Sequence, residues 1–305
     1  MTARLAYLIS AYKLPAMLVR LVRRLDAPGT RFLIHVDAKT PEPTFRAMAG
    51  PVAGMPNVTF LPRHVCYWGD FGHVRATLVG LRTLVASGEP FDYVVLLTGQ
   101  DYPLKPNATI ASTLAASAGQ VFMRTFPLPT AHWTDGGMDR IEQRHVRMGD
   151  RLVVFPGTPF RNRVASAVWA RLSRALRLYR RLPEGFEPWG GSSYWCMPAD
   201  CARYVDTFAE THGDFVKFFE HVYVPDEIFF NTVVMNSPFR DRVTGDDLRY
   251  YDWSLAADNP AVLTTRDFDA LASTPALFAR KFDPNTDAAV LDRLDAMIDR
   301  AATPA

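Results

Sequence analysis

Apolar positions along the first hundred residues switch between two periods. Leu5–Tyr12 is a short continuous apolar run bounded by turn residues, as expected of a parallel strand buried on both faces, and Pro15–Leu25 places its apolar residues at helical spacing. Arg31–Lys39 reads as a second strand, and the resulting β-α-β unit predicts a parallel sheet with ligands at the carboxyl ends of its strands. Asn57–Arg63 gives a third strand and His73–Ser87 a helix. Phe91–Pro106 is an apolar strand running into a loop that holds Gly99, Asp101, Pro103 and Pro106. Tyr12, Asp37 and Asp101 thus stand where open α/β sheets bind ligands, although turn stabilisation alone accounts for aspartates in such places.

Beyond Gln120 the pattern is less regular. Val121–Phe126 reads as a strand, and Pro127–Asp150 as a loop-rich stretch with a short helical segment at Arg140–Arg147. Arg161–Leu182 contains seven arginines and no acid, with Arg171, Arg174, Arg177, Arg180 and Arg181 opposite Val168, Trp169, Leu172, Leu176 and Tyr179. Such a helix either docks on anionic lipid or an acidic polymer, or lays its apolar face on the core beneath a solvated charged face. Glu187–Phe208 reads as a Gly-rich loop, an aromatic strand and a helix opened by Pro198 and Asp200. A strand is expected near Arg249 with Trp253 close to its end, and Asp287–Ala301 forms a terminal helix.

Between them lies Val224–Ser237, a turn carrying Asp226 and Glu227 that runs into an apolar helix. Pro225 suits the first turn of that helix, and acidic residues are favoured there by the unpaired amides and the macrodipole. Capping explains both carboxylates. A glutamate beside a capping aspartate can also point into adjoining space, as a general base must.

Charge and cysteine usage narrow the classes. The 34 basic and 32 acidic residues leave a net charge of +2, too balanced for nucleic acid to be the main partner. Cys66, Cys196 and Cys201 form no Cys-x-x-Cys pair, so reduced thiols are expected rather than a disulfide framework or structural zinc. No apolar run reaches the roughly 18 residues of a membrane span and no signal-peptide layout opens the chain, so a cytoplasmic location is expected. Asp70-Phe71-Gly72 lacks the other kinase motifs. His132 and His145 are too far apart for a helical metal pair, and Asp267-x-Asp269 precedes a helical run where capping is the better reading, so no catalytic metal is expected. Trp68, in a Gly-containing loop, is either a core plug or a stacking platform.

Taken in order, AYLISAYK, FLIHVD, YWGDFGHVRA, YVVLLTGQDYPLKP, GGSSYW, VPDEIFFNTVVMNS, LRYYDW and LFARKFD resemble the motifs of the core-2/I-branching β-1,6-N-acetylglucosaminyltransferases and peptide O-xylosyltransferases, glycosyltransferase family 14. The resemblance spans about Arg4 to Asp283 and implies an α/β protein of the GT-A glycosyltransferase fold. It further implies one catalytic domain over 1–305, with a Rossmann-like nucleotide-sugar half (about 1–120), an acceptor-binding and catalytic half (about 121–283) and a C-terminal helix (284–305), around a mixed, mostly parallel sheet flanked by helices. The implied reaction is inverting transfer without a metal from a UDP-sugar, N-acetylglucosamine before xylose, to a hydroxyl of a glycan or glycolipid.

In that resemblance Glu227 matches the base, Lys281 and Arg266 match the cations that balance departing UDP, and Arg280 is the reserve for Arg266. Ala11, Tyr12, Asp37, Trp68 and Asp101 fall on the nucleotide-sugar side, with Asp37 at uracil; Arg144 and Trp253 fall on the acceptor side. Tyr12 stands where the family usually has histidine. The chain resembles a stand-alone bacterial member, for which peripheral contact with the inner face of a membrane through residues 161–182 is an expectation. A glycan-binding protein without turnover, or a metal-dependent transferase using Asp267 and Asp269, are the alternative readings.

Overall fold

The opening β-α-β unit forms as read and is the start of a six-stranded sheet. The structure, a computed structural model, describes residues 2–149, 151–157, 163–176, 178–254 and 259–302. Strand β1 (Leu5–Ala11), helix α1 (Pro15–Leu25), β2 (Arg31–Val36), α2 (Glu42–Ala49), β3 (Val58–Phe60), α3 (Gly72–Ala86) and β4 (Tyr93–Thr98) follow in order. Next come β5 (Asp101–Pro103), α4 (Asn107–Ala116), β6 (Phe122–Pro127), α5 (Met138–Glu142), β7 (Arg144–Met148), β8 (Arg151–Phe155) and α6 (Arg163–Ala175). The chain continues through β9 (Trp189–Pro198), α7 (Ala199–Thr211), α8 (Gly213–Phe219), α9 (Phe229–Met235), β10 (Arg249–Tyr251), α10 (Phe268–Ser273), β11 (Phe278–Arg280) and α11 (Ala289–Ala302).

The main sheet has the order β3-β2-β1-β4-β9-β6. Its first four strands are parallel, whereas β9 runs antiparallel to both β4 and β6. The mixed, mostly parallel sheet expected above is therefore present. Side chains alternate across β1, so Leu5, Tyr7, Ile9 and Ala11 enter one core with α1, β11 and α11, and Ala6 and Leu8 enter the other with α3, α7 and α9. Burial on both faces explains why β1, β2 and β4 read as unbroken apolar runs. A small sheet, β10-β11-β5, lies beside the carboxyl end of the main one.

Three readings change. Phe91–Pro106 is two strands in two sheets, because the chain turns at Thr98–Asp101. The helical segment placed at Arg140–Arg147 ends at Glu142, and Arg144–Met148 instead pairs with Arg151–Phe155 in a hairpin. Its period is two: His145 is buried while Arg144 and Met148 are exposed. Helix α4 escaped notice because Ile110 and Leu114 are its buried residues and supply little apolar periodicity. Arg161, Asn162 and Arg177 of the basic stretch lie outside the described residues, and the helix described there is Arg163–Ala175.

All three cysteines are free and buried. Among the described residues no helix is long and apolar enough to cross a membrane. Phe229, the first residue of α9, is fully buried and packs edge-on against Phe71, Phe219 and Phe230. Phe229→Ala should lower the unfolding free energy in urea by about 3–5 kcal/mol, the usual cost of removing a buried phenyl ring.

Candidate active site

The carboxyl ends of β1, β2 and β4 gather the first group of site residues. The Ala11 carbonyl accepts from the Asp37 amide at 3.0 Å, which fixes the two strand ends side by side. The Asp37 carboxylate accepts from the amides of Lys39 (2.9 Å) and Cys66 (3.4 Å), and the Lys39 ammonium lies 3.3 Å away. Tyr12 is exposed, with its carbonyl held by the Thr40 hydroxyl at 3.1 Å. Asp101 is fully buried and folds back on its own turn, accepting from the Thr98 amide (2.9 Å) and hydroxyl (3.0 Å). These contacts stabilise its own turn, reaching three residues back rather than two residues on as an Asx turn does.

Antiparallel pairing of β5 with β11 sets Arg280 opposite Asp101, with its guanidinium Nε 3.7 Å from the carboxylate. The guanidinium also lies over the Tyr194 ring, 4.6 Å from its centroid. Two of its nitrogens, Nε and Nη1, are buried without a hydrogen-bond partner among the described residues. Burial lowers the pKa of Arg280, and it lowers that of Lys281 too, with Arg280 and Lys13 adding to the effect. Three cations thus converge near Tyr12. A buried cation with open donors is the arrangement that an anionic ligand completes.

Arg266 occupies a different place. It is exposed, in the turn Thr265–Asp267, where Thr264 and Asp267 form a reciprocal capping box. Asp267 therefore caps the turn, as the sequence suggested.

The second group surrounds Glu227. Ser193 on β9 donates to Asp226 at 2.8 Å, and no side chain caps α9, so Asp226 is anchored to the sheet rather than capping a helix. Asn231, buried on α9, donates to the Glu227 carbonyl (3.0 Å) and the Ser192 carbonyl (3.2 Å), tying the turn to β9. Gly191 is needed there: a Cβ would meet the Arg124 carbonyl oxygen at 2.0 Å and Asn231 Oδ1 at 2.5 Å. Val224 enters the turn in the left-handed region at φ 49°, where a β-branched residue is strained. Its amide donates to the Gly69 carbonyl at 2.9 Å.

Glu227 pairs with Arg140, 2.8 Å from guanidinium to carboxylate, while that guanidinium stacks 3.9 Å from the Trp133 centroid. Burial first, and neighbouring Asp226 second, push the Glu227 carboxyl up to about 7 against the opposing pull of Arg140. Such a group is half charged near neutrality, the condition under which a carboxylate accepts a proton from a hydroxyl.

The two groups meet through residues 64–72. The Cys66 amide reaches Asp37, Gly69 holds Val224, and Trp68 packs edge-on against Tyr223 with ring centroids 5.6 Å apart. Asp70 is clamped by Arg147 of β7. Trp68 is exposed beside the turn of Glu227, which matches the platform rather than the core plug. Trp253 is exposed as well, near Tyr251.

Arg144 is exposed at the start of β7; burial lowers the pKa values of Arg180 and His221, and the nearby charge of Arg144 adds to the effect. The arginine that touches Glu227 is Arg140, which sequence reasoning missed; its signal was a cation one helical turn earlier in DRIEQR. His35, His64 and Cys66 also converge, with potential ligand atoms within 4.8 Å, a trio that linear spacing did not reveal. Backbone groups already engage both histidines: His35 Nε2 accepts from the His64 amide, and His64 Nε2 lies 3.2 Å from the Gly72 carbonyl.

Comparison with known proteins identifies the family. The family model described as Core-2/I-Branching enzyme matches residues 5–272. Xylosyltransferase 2 of Rattus norvegicus is 24% identical over 314 residues, and that of Homo sapiens 25% over 313, each alignment covering 96% of this chain and 33% of the relative. The chain thus spans about a third of those curated relatives. Among solved structures, the galactosyltransferase LgtC with donor and acceptor sugar analogues superposes with a TM-score of 0.38 at 11% identity, covering 99% of this chain and 97% of that one.

A carboxyl whose pKa rises from 4.5 unfolded to about 7 folded binds its proton more tightly in the folded state. Its contribution to stability therefore falls as pH rises from 4.5 to 7 and is flat above. Glu227→Gln should accordingly gain stability relative to the parent between pH 5 and pH 8, measured by urea unfolding at both. Asn231→Ala should cost about 1–3 kcal/mol, because it strands two buried carbonyls.

Proposed function

The chain belongs to the Core-2/I-Branching enzyme family, and from that premise we propose that it is an inverting, metal-independent glycosyltransferase with Glu227 as its base. The observation that carries the reading is the enclosed Glu227 carboxyl, raised to about 7 and joined through the Trp68 loop to the strand ends at Asp37. An acceptor hydroxyl gives its proton to Glu227 as its oxygen attacks the anomeric carbon of an α-linked UDP-sugar. The bond to UDP breaks, its electron pair goes to the β-phosphate oxygen, and the product is a β-glycoside.

Arg280 and Lys281 take the charge that develops on UDP. Fixed cations aimed at a leaving group perform the electrostatic task that a metal performs in other transferases. The buried guanidinium with two open nitrogens supports Arg280 over exposed Arg266 as the partner of Lys281. Asp37 receives the uracil, Ala11, Tyr12 and Trp68 border the nucleotide, and Arg144 and Trp253 remain on the side of the glycan or glycolipid acceptor. Arg140 holds Glu227 in place and moderates its pKa. The names of the curated relatives place UDP-xylose beside UDP-N-acetylglucosamine as the donors to test.

Glu227→Gln should keep UDP binding and lose transfer by about a hundredfold or more; equal activity would remove Glu227 from the mechanism. Parent activity should rise through about pH 7 as Glu227 loses its proton. Arg280→Ala and Lys281→Ala should each weaken UDP binding roughly tenfold to a hundredfold in calorimetry, while Arg266→Ala changes it little. Thermal shift with each UDP-sugar, with and without EDTA, identifies the donor. Transfer abolished by EDTA would favour the metal-dependent alternative.

A further inference from the structure

The most unusual surface of the molecule begins on the outer face of the β7–β8 hairpin, whose inner face meets Asp70 and Tyr223. From Arg151 to Pro183 the sequence carries eight arginines and no acid, although the net charge of the whole chain is only +2, so the remainder is net acidic. The charge is strongly one-sided. A balanced rim of acids and bases around an ordinary solvated helix would not produce this.

Apolar side chains are displayed on the same segment. In helix α6 and its last turn, Val168, Leu172 and Leu176 follow one another at helical spacing and are 58%, 47% and 58% exposed. They form a ridge on one side of the helix, where the sequence left open an apolar face laid on the core. Arg171 is exposed next to this ridge. The Trp169 indole donates to the Gly157 carbonyl at 2.7 Å within the segment, and the Arg180 amide donates to the Glu142 carbonyl at 2.7 Å, which ties the segment's far end to the body of the protein.

The hairpin continues the display. Register pairs Arg144 with Phe155, Val146 with Val153 and Met148 with Arg151, so these six share one face. Met148 is 67% and Phe155 51% exposed, and both arginines are exposed as well. The opposite face carries His145 and Arg147, which meet Tyr223 and Asp70. The six residues of this hairpin face and the helix Arg163–Ala175 thus combine apolar residues with arginine and include no acid.

We propose that the outer face of the β7–β8 hairpin together with the Val168–Leu172–Leu176 ridge is a docking surface for an anionic lipid bilayer. Apolar side chains enter the boundary between headgroups and acyl chains while arginines pair with phosphates at the surface, the combination that holds interfacial helices. Charge complementarity selects this occupant: a second copy would set the exposed Arg144, Arg151 and Arg171 against the same like charges, and an acidic polymer has no use for the apolar ridge. The surface is independent of the reaction assigned to Glu227.

The test is co-sedimentation of the full chain with vesicles of phosphatidylcholine and phosphatidylglycerol in a three-to-one ratio, against pure phosphatidylcholine, at physiological ionic strength. Binding to the anionic vesicles is expected, and its absence overturns the proposal. Val168→Glu with Leu172→Glu should reduce partition about tenfold or more, and Arg151→Ala and Arg171→Ala about fivefold each. These positions are exposed, so circular dichroism and the UDP thermal shift should stay unchanged. Loss on removing arginines but not on altering the apolar pair would mean a purely electrostatic surface and overturn the proposal. Light scattering that shows a parent dimer dispersed by the same apolar changes would assign the face to a second copy and overturn it as well.

Discussion

Enclosure of one carboxylate between a guanidinium and a second carboxylate is the constraint on which the site depends. Burial raises the affinity of Glu227 for a proton, as its proposed role as base requires, and the same burial penalises the charged form. The surrounding structure offsets that penalty. Arg140 supplies the counter-charge, Asn231 pins the backbone, and Ser193 holds Asp226 to the sheet. Left-handed Val224, costing about 1–3 kcal/mol as strained non-glycine backbone does, persists because Gly69 and Pro225 fix the chain on either side of it. Stability given up at a turn that aims a reactive group is the usual balance between activity and folding.

Two buried arginines near Tyr194 show how similar surroundings lead to different roles. Arg249 lies 4.9 Å from the Tyr194 centroid and donates to the carbonyls of Asp247 and Leu96, so it joins β10 to the main sheet. Arg280 approaches the same ring at 4.6 Å, but two of its nitrogens find no acceptor among the described residues. Both terminal nitrogens of Arg249 are on fixed carbonyls and make it a clamp, although its Nε too finds no acceptor among the described residues. In the proposed reaction the open donors of Arg280 beside Lys281 receive negative charge, a difference in hydrogen bonding rather than in residue type or depth.

How far the sequence revealed this depended on the range of the interaction that fixes each feature. Strands β1, β2 and β4 were legible because burial on both faces writes itself as an apolar run, whereas Glu227 was singled out only through the family resemblance, since capping alone accounts for proline and two acids before an apolar helix. Arg140 was not, since its meeting with Glu227 joins residues 87 positions apart. The role of Asp226 was misread for a related reason: local propensity favours a cap, whereas Ser193 lies on a distant strand. Arg266 was matched ahead of Arg280 by the family resemblance, and only pairing of β11 with β5 reveals which guanidinium is buried. The hairpin at Arg144–Met148 was hidden because five residues are too few to separate a helical from a strand period.

That hairpin also joins the two halves of the argument. On its inner face, Arg147 clamps Asp70 and His145 stacks on Tyr223 at 5.2 Å, so β7 holds both the Trp68 loop and the residues leading to Glu227. Its outer face carries Met148, Val153 and Phe155. A strand with period two transmits any tilt of one face to the other, because the side chains of both faces share one backbone. Docking of the outer face on a bilayer would therefore set the orientation of the Trp68 and Glu227 side of the site relative to the membrane. An acceptor anchored in that membrane would meet the base without first diffusing into solution, which converts part of the search for substrate into a fixed geometry.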